Sequence, residues 1–556
     1  MGYGKGKGKV RDEFLDYCIS RVDPEDRGSL RQNLLPLSRL LATRLRYKDG
    51  FLRKMGIEMD QEGWTDLGQV LALDDFSRWT SMDVREVVQE APKAPLFAAC
   101  VAGILAGYVV LRRWWWSRKL PPGSMGWPLL GETLSYVSGQ EEFIAARLLK
   151  YGGTFKSNVL FVPTVFLAVT ESNAKLIHSK RDLGWPAHFK KVMGETSVPM
   201  VNDPLHKRLR NTSTRAFTNQ QLDLYLPVLH KLSAKYLKEW AAQGTSEPRD
   251  VYFQIKKYAF ECGQAVILGS AVTESELDHF MHLFDTAIAG LGCVLPVDLP
   301  GFPFHTCMSA RRQLGQECQK VIQRRREALQ ASPQPTCMLD AMLGSEEGTS
   351  DHELQDFCVS MTFAGHDTTL ASIHTTLRWL KQCPELAAGL RAEVDEIWDG
   401  SAPITRGLLE SIPKTRAFIQ EVWRKTPPVS PIVRNLAEDQ EVDGFVVPKG
   451  WNLSYYPARQ FSKADDWDEF RPSRHLDEEG QFIDSTHEAT LFESFGGGSR
   501  MCIGYKFARD EMLTFLMVFL KHYDMSLASS THTPFPFNFY RLEGSFCERA
   551  RTEGGA

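Results

Sequence analysis

The cysteines of this sequence lack the spacing of a disulfide scaffold or a zinc module. The 556 residues include eleven cysteines, but no pair is spaced as CxxC and none clusters with histidines at zinc-finger spacing. Disulfide frameworks are typical of short secreted chains. A reducing compartment is therefore the simpler interpretation for the bulk of the chain.

An excess of charge of one sign is also missing. The formal net charge is -4 at pH 7, so overall charge gives no argument for a nucleic-acid partner. With 43% hydrophobic and 24% charged residues, the composition is that of a globular protein rather than a disordered or collagen-like one. Neither an internal repeat nor a flavin or nicotinamide fingerprint is evident in the chain.

One long run without charge extends from Leu96 to Leu111. As a helix, its residues would span about 24 Å, slightly less than a hydrocarbon core of roughly 30 Å. The tryptophans Trp114–Trp116 and a cluster of arginine and lysine follow it, as is typical of a membrane interface and its cytoplasmic flank. We therefore predict a transmembrane anchor at residues 95–117, with a buried core helix as the alternative. The run lies too far from Met1 for a cleaved signal peptide.

The segment from Phe495 to Gly504 reads Phe-Gly-Gly-Gly-Ser-Arg-Met-Cys-Ile-Gly. A thiolate that binds heme iron needs a loop whose backbone amides point at the sulfur, and glycines let that backbone approach the porphyrin. Arg500 offers a cationic fork to a heme propionate. A buried helix predicted from Tyr505 to Leu520 would direct its positive end at the sulfur of Cys502. The alternative is a glycine-rich turn with a structural cysteine.

This segment matches Phe-x-x-Gly-x-Arg-x-Cys-x-Gly, and residues 118–548 resemble the cytochrome P450 family. The resemblance implies a mainly α fold with small β-sheets and a heme b cofactor, with Cys502 as the axial ligand of the iron and Phe495 and Arg500 beside it. It also implies a monooxygenase that inserts one oxygen atom from O₂. Electrons would then come from NADPH through a separate reductase, or from a ferredoxin.

Seven residues from position 363 read Phe-Ala-Gly-His-Asp-Thr-Thr, which resembles the family's oxygen-activating helix. The resemblance implies that Ala364 and Gly365 open space over the heme and that Asp367 and Thr368 deliver protons there. Relatives that rearrange peroxides need no such proton delivery. The presence of Asp367 and Thr368 therefore favours a hydroxylase over the alternative, an isomerase or dehydratase of oxygenated lipids. A threonine can instead bond the carbonyl four residues earlier. We expect that bond at Thr369 rather than at Thr368.

Three further residues resemble the family's partners of the heme propionates. His206 and Arg210 are four residues apart, as on one face of a helix, with histidine in the place that tryptophan often holds. Arg434 follows Pro427 by seven residues and resembles another propionate partner.

Three charged residues resemble the family's buried Glu-Arg-Arg network. Glu421 and Arg424 are three residues apart and share a face of a predicted helix, and Arg474 would be the third member. Such a network holds a core in one register when every charge is paired. Its implied role is structural, not catalytic.

The segments Pro121–Thr133 and Leu299–Phe304 resemble one branch of the family, which oxidises sterols, brassinosteroids, retinoids and abscisic acid. The implied substrate is an apolar isoprenoid-type small molecule: a sterol, a terpenoid, a retinoid or a carotenoid-derived compound. An apolar pocket with one or two polar anchors would suit it. The predicted lining residues are Phe363, Val429, Ile432 and Val433.

The segments outside this module have separate predictions. Residues 1–11 are a disordered basic tail, and residues 549–556 form a second tail. Residues 12–92 are similar to the winged-helix N-terminal lobe of RNA 2′-phosphotransferases, but Tyr47 replaces that family's histidine and no second lobe follows. We predict no phosphotransferase activity there, and RNA or protein binding stays an alternative. The expected location is the endoplasmic reticulum membrane with the catalytic domain on its cytoplasmic face, or else the plastid envelope.

Overall fold

The computed structural model describes residues 120–549, except for 129, 181, 245–247, 270–271, 294–295, 345–347, 457–468, 485–493 and 534–538. The predicted basic tail, the phosphotransferase-like segment and the anchor at residues 95–117 lie outside this range. Within it, no helix combines the length and the apolar character needed to cross a membrane.

Helices dominate the described part of the chain, as predicted. In chain order they are α1 Thr133–Ser138, α2 Gln140–Tyr151, α3 Glu171–Ser179, α4 Ala187–Met193, α5 Leu205–Thr214, α6 Asn219–Ala242, α7 Tyr252–Ile267, α8 Glu274–Ile288, α9 Pro303–Ala331, α10 Met338–Leu343, α11 Asp351–Gln382, α12 Pro384–Ile397, α13 Arg406–Glu410, α14 Pro413–Lys425 and α15 Tyr505–His522. Short 3-10 turns lie at Arg215–Phe217, Ala289–Gly292, Pro472–His475 and Gly498–Arg500.

The strands form small sheets at the edges of the helical body. They are β1 Phe155–Val159, β2 Val162–Phe166, β3 Arg249–Asp250, β4 Ile432–Asn435, β5 Gln440–Val442, β6 Phe445–Val447, β7 Asn452–Tyr455, β8 Tyr523–Thr533 and β9 Phe539–Glu548. The largest described sheet has the order β1-β2-β7-β4, in which only the β2–β7 pair is parallel. The other two have the orders β3-β9-β8 and β5-β6.

The longest described helix, α11, begins at a capping box and ends before a proline. The Ser350 hydroxyl accepts a hydrogen bond from the Glu353 amide (3.3 Å), and the Glu353 carboxylate accepts one from the Ser350 amide (2.9 Å). These bonds satisfy amides that the first turn leaves unpaired. Pro384 restricts the backbone of Cys383, so the helix cannot continue.

Helix α15 crosses the interior beside α6, α12 and α14. Every residue from Asp510 to Leu520 is buried, which confirms the buried helix predicted from Tyr505. Because α15 starts directly after the cysteine loop, its packing fixes that loop against the core.

Candidate active site

Cys502 ends a loop that glycines fold tightly. Gly496 and Gly498 have φ angles of +67° and +63°, in the left-handed region that favours glycine. A Cβ at Gly498 would lie 2.2 Å from the carbonyl oxygen of His178 in α3, so only glycine allows this approach. The Cys502 amide donates to the Phe495 carbonyl (2.8 Å), which closes the loop just before α15.

The Cys502 side chain is accessible to water although protein atoms surround it. The residue is exposed, although burial raises the pKa of its thiol above the ordinary value. Both are true of a group that water can reach but that protein atoms surround. The backbone of Gly504, which caps α15, hydrogen-bonds the thiolate, and this bond and the charge of Arg210 act to lower the pKa. The loop therefore carries features that favour a metal-bound thiolate.

Four basic side chains meet beside this loop: His206 and Arg210 on α5, Arg434 on β4, and Arg500 in the loop itself. Burial lowers the pKa of each. The charge of Arg500 lowers the pKa of His206 further, and burial together with Arg500 lowers that of Arg434 to about 10. Buried like charges repel one another unless an anion lies between them. The cluster therefore fits the two carboxylates of a heme.

Hydrogen bonds hold these side chains in place. Arg434 donates from Nε to the Lys180 carbonyl (3.2 Å) and from Nη1 to the Val433 carbonyl (2.8 Å). Arg500 donates from Nη2 to Asn202 Oδ1 (3.1 Å). Asn202 was not predicted, since a single asparagine outside a motif carries no signal by which to find it. We refer to His206, Arg210, Arg434 and Arg500 as the arginine cluster.

Helix α11 opens onto a cavity at the predicted oxygen-activating positions. Its residues from Asp356 to Thr362 and from Thr369 to Leu377 are buried, whereas Phe363–Gly365, Asp367 and Thr368 are not. An accessible patch in the middle of a buried helix must face an internal space. A Cβ at Gly365 would meet only Ile267 Cδ1, at 3.9 Å, so protein packing alone does not require glycine there.

The threonine that bonds the helix carbonyl four residues earlier is Thr368, not Thr369 as we predicted. Thr368 Oγ1 donates to the Ala364 carbonyl (2.5 Å), while Thr369 Oγ1 donates to Glu511 Oε2 (2.8 Å) on α15. The expectation that Thr369 makes the local helix bond was wrong. Glu511 lies far along the chain and gives Thr369 a carboxyl acceptor that local spacing could not reveal.

Asp367 is half-buried next to a fully buried histidine. Its Oδ1 lies 3.2 Å from Nδ1 of His366. The His366 ring packs between the edges of Phe260 (5.3 Å) and Phe284 (5.8 Å). This packing fixes the backbone beside Asp367 and leaves its carboxylate, rather than the histidine, toward the cavity side of α11.

The structure brings Glu421, Arg424 and Arg474 into one network. Arg424 donates to both oxygens of Glu421 (2.6 and 2.7 Å), and Arg474 donates to Oε1 (3.2 Å). His475 Nε2 lies 3.0 Å from Oε2, a contact that we did not predict although His475 directly follows Arg474. Burial would raise the pKa of Glu421, but the bonds from Arg424 and His475 overcome it and lower the pKa to about 2.

The predicted pocket residues separate into two groups. Val433 lines a cleft against β2 and β7, and Phe363 packs in one apolar cluster with Trp185 and Phe189. Val429 is exposed, and neither it nor Ile432 borders this cleft. The ring of Phe495 instead packs edge-on against Trp423 (5.0 Å), behind the cysteine loop.

Comparison with known proteins agrees with this arrangement. The family model for cytochrome P450 matches residues 121–544. Cytochrome P450 85A1 of Oryza sativa subsp. japonica is 29% identical over 443 residues, which cover 76% of this chain and 92% of that protein. Abscisic acid 8′-hydroxylase 2 of Arabidopsis thaliana is 28% identical over 424 residues, 73% of this chain and 85% of that protein.

A solved structure, retinoic acid-bound cyanobacterial CYP120A1, superimposes with a TM-score of 0.69 at 25% identity, covering 78% of this chain and all of that one. The family match spans well over half of the chain. The protein is accordingly a heme-dependent monooxygenase that needs electrons from a reductase. The chain belongs to the cytochrome P450 family.

Proposed function

We propose that this protein hydroxylates an apolar isoprenoid-type substrate, such as a sterol, a terpenoid, a retinoid or a carotenoid-derived compound, with Cys502 as the axial ligand of its heme iron. The main support is the accessible Cys502 side chain at the end of its glycine loop, with the arginine cluster beside that loop. The names of two relatives, an abscisic acid hydroxylase and a retinoic acid-bound P450, support the substrate class.

The heme site uses residues from four parts of the chain. The thiolate of Cys502 would hold the iron, and the arginine cluster would bind the propionates through charge-assisted hydrogen bonds. Phe495 and Trp423 pack against each other behind the loop and support it from the protein side. Thiolate-bound heme supplies the activation of O₂.

Thr368 and Asp367 on α11 would supply the protons that O₂ activation needs. The Thr368 hydroxyl donates to the Ala364 carbonyl at rest, so its lone pairs remain acceptors. To pass its proton into the cavity, the hydroxyl must turn away from that carbonyl and take a new proton from water. The Asp367 carboxylate, one residue away and half-buried, orients that water and renews its proton.

Electrons come from an NADPH-dependent reductase or a ferredoxin, because the sequence has no flavin or nicotinamide fingerprint. Lys506 and Arg509 lie on the first turns of α15, just after the cysteine loop in the chain, and would receive an acidic partner. Arg509 already pairs with Asp484 (2.6 Å), so its share in docking is the smaller.

Residues 95–117 anchor the protein in a membrane, with the endoplasmic reticulum as the expected one. The support is the uncharged run and its tryptophan and basic flank. Residues 12–92 carry no phosphotransferase activity in this proposal, because Tyr47 stands where that enzyme family has histidine.

Isotope labelling tests the proposed reaction. The purified protein, a reductase, NADPH and oxygen-18 gas are incubated with a panel of sterols, retinoids and carotenoid fragments, and products are analysed by mass spectrometry. One labelled oxygen in an NADPH-dependent product is expected. Turnover of an oxygenated lipid without reductant and without label would instead establish the isomerase or dehydratase alternative.

A further inference from the structure

A cleft borders one face of the sheet β1-β2-β7-β4. Phe166, Ser454 and Val433 are paired across β2, β7 and β4, so they form one row on that face. Thr164 and Asn452 form the next row. The segment from Leu183 to Phe189 covers these rows, and the cleft between them has a cavity volume of about 60 Å³ and opens to solvent.

The cleft adjoins the active-site elements on two sides. Trp185 and Phe189 stack on each other (5.6 Å, 11°) and share an apolar cluster with Phe363 of α11. On the other side Val433 precedes Arg434 of the arginine cluster. A substrate that reaches the Ala364 side of α11 can therefore leave its far end in this cleft.

None of the described residues that line the cleft carries a charge. They are Tyr136, Val159, Leu160, Val162, Thr164, Phe166, Leu183, Gly184, Trp185, Pro186, Phe189, Val433, Asn452 and Ser454. Arg434, although it is next to Val433 in the chain, does not place a positive charge in the cleft. Its strand partner is Leu453, which places its side chain on the opposite face of the sheet, and it bonds the Lys180 carbonyl there.

Most polar groups of the lining are already bonded within the protein. Trp185 Nε1 donates to the Pro199 carbonyl (2.8 Å), and Thr164 Oγ1 donates to the Val162 carbonyl (2.9 Å).

Ser454 differs from these groups, because its buried Oγ has no hydrogen-bond partner among the described residues. The neighbouring Asn452 accepts through Oδ1 from Asn435 (3.0 Å), which leaves its amide hydrogens for a ligand.

We infer that the cleft binds the end of the substrate that carries a neutral hydroxyl or keto oxygen, and that it excludes a carboxylate. A neutral oxygen can exchange a hydrogen bond with Ser454 and accept one from Asn452. A carboxylate would lose its water without meeting a cation, which is far more costly. The inference rests on the proposed function and narrows its substrate class to neutral isoprenoids, in contrast to the acids named for two relatives.

Two pairs of ligands with matched skeletons test this inference: retinol against retinoic acid, and a sterol 3-alcohol against its 3-sulfate. Equilibrium binding to the heme-loaded protein is measured by calorimetry and by the shift of the heme absorbance. At pH 8 we expect the alcohol of at least one pair to bind about 10- to 100-fold more tightly than its anion. The retinoic acid affinity should rise as the pH falls and the carboxylate gains a proton.

Variants in the cleft locate the effect. Ser454→Ala should weaken alcohol binding about 5- to 10-fold, because it removes one hydrogen bond, and should leave the binding of the anions unchanged. Ser401→Ala is the matched control, since it removes the same hydroxyl at an exposed position outside the cleft; it should change alcohol binding less than twofold.

Two results are contrary to the inference, and they are distinguishable. The first is that the anions bind as tightly as the alcohols, or that Ser454→Ala leaves alcohol binding unchanged. Either outcome contradicts the preference of the cleft for neutral groups but leaves the proposed isoprenoid hydroxylase in place. If neither pair binds to protein that retains heme, the proposed isoprenoid class fails together with the inference.

Discussion

Two groups of buried charge, the Glu421 network and the arginine cluster, differ in how far the protein balances them. In the Glu421 network the carboxylate meets two arginines and a histidine, and its pKa falls to about 2. In the arginine cluster Asp203 contacts His206 (3.3 Å) and, together with Asp182, acts on Arg500. No carboxylate among the described residues hydrogen-bonds Arg434, and burial with the charge of Arg500 lowers the pKa of Arg434 to about 10. A charge group that the protein balances itself is structural, whereas one left cationic is prepared for an anionic ligand.

Removing the acid from the balanced group should have the largest effect. Glu421→Ala leaves Arg424 buried without its bidentate partner, so we expect the free energy of unfolding to fall by about 3–5 kcal/mol. Denaturant unfolding of the apoprotein measures it. Glu478→Ala, at an exposed position, is the control, and equal stability of the two variants would contradict a structural role for Glu421.

Another buried acid, Glu511, sharpens the comparison because no basic side chain hydrogen-bonds it among the described residues. Burial raises its pKa to about 8, against a smaller opposing effect of the bond from Thr369. At a pH below the pKa that the Glu511 carboxyl has in the unfolded protein, the folded and the unfolded protein both keep its proton. Between that pKa and about pH 8 the unfolded protein has lost the proton and the folded protein still holds it, so the free energy of unfolding falls as the pH rises.

Glu511→Gln should remove this pH dependence. The amide is neutral and can still accept the Thr369 bond, so its stability relative to the native protein should rise by about 1–4 kcal/mol from about pH 5 to about pH 8. Thermal unfolding across that range measures it. A constant difference between the two proteins would show that Glu511 does not hold its proton in the fold.

Substitution in the cationic group should act on heme rather than on folding. Arg434→Gln relieves repulsion, so the apoprotein should keep its stability to within about 1 kcal/mol, while heme should leave about 10- to 100-fold faster, because a charge-assisted bond is lost. Heme transfer to apomyoglobin measures the loss. Arg434→Lys, which keeps the charge, should lie between the two proteins. If Arg434→Gln instead destabilised the fold and left heme retention unchanged, Arg434 would have a structural role and would not bind heme.

The smallest effect is expected at the neighbouring threonines. Thr369→Val breaks the bond to Glu511 and should lower the free energy of unfolding by about 1 kcal/mol, with product formed per NADPH unchanged. Thr368→Val should instead lower product per NADPH and leave stability nearly unaltered. Thermal unfolding measures the change in stability, and assays of product formed per NADPH measure the change in coupling. If the two variants changed both quantities equally, the two threonines would not have different roles.

The sequence predicts the elements that follow from local spacing and motif. The helix after Cys502, the mainly helical fold, the Glu421–Arg424 pair on one helix face, and the return of Arg474 to that pair all appear in the structure. Each depends on residues within one helix turn of another, or on an ordered set of motifs along the chain.

Contacts between distant elements could not be predicted in the same way. Thr369 bonds Glu511 across 142 residues, and Arg500 bonds Asn202 across 298. Such pairs depend on how helices cross, which single-sequence periodicity does not encode. The cleft face of β7 follows from its register with β2 and β4, and that register is likewise a tertiary property.

The central claim is that the Cys502 thiolate binds the heme iron, and the spectrum of the reduced carbon monoxide complex tests it most directly. The native protein and Cys547→Ala, a control at a half-buried cysteine in β9, should give the red-shifted Soret band of thiolate ligation. Cys502→Ala should lose that band. If the band persists in Cys502→Ala, the iron has another ligand and the account is wrong.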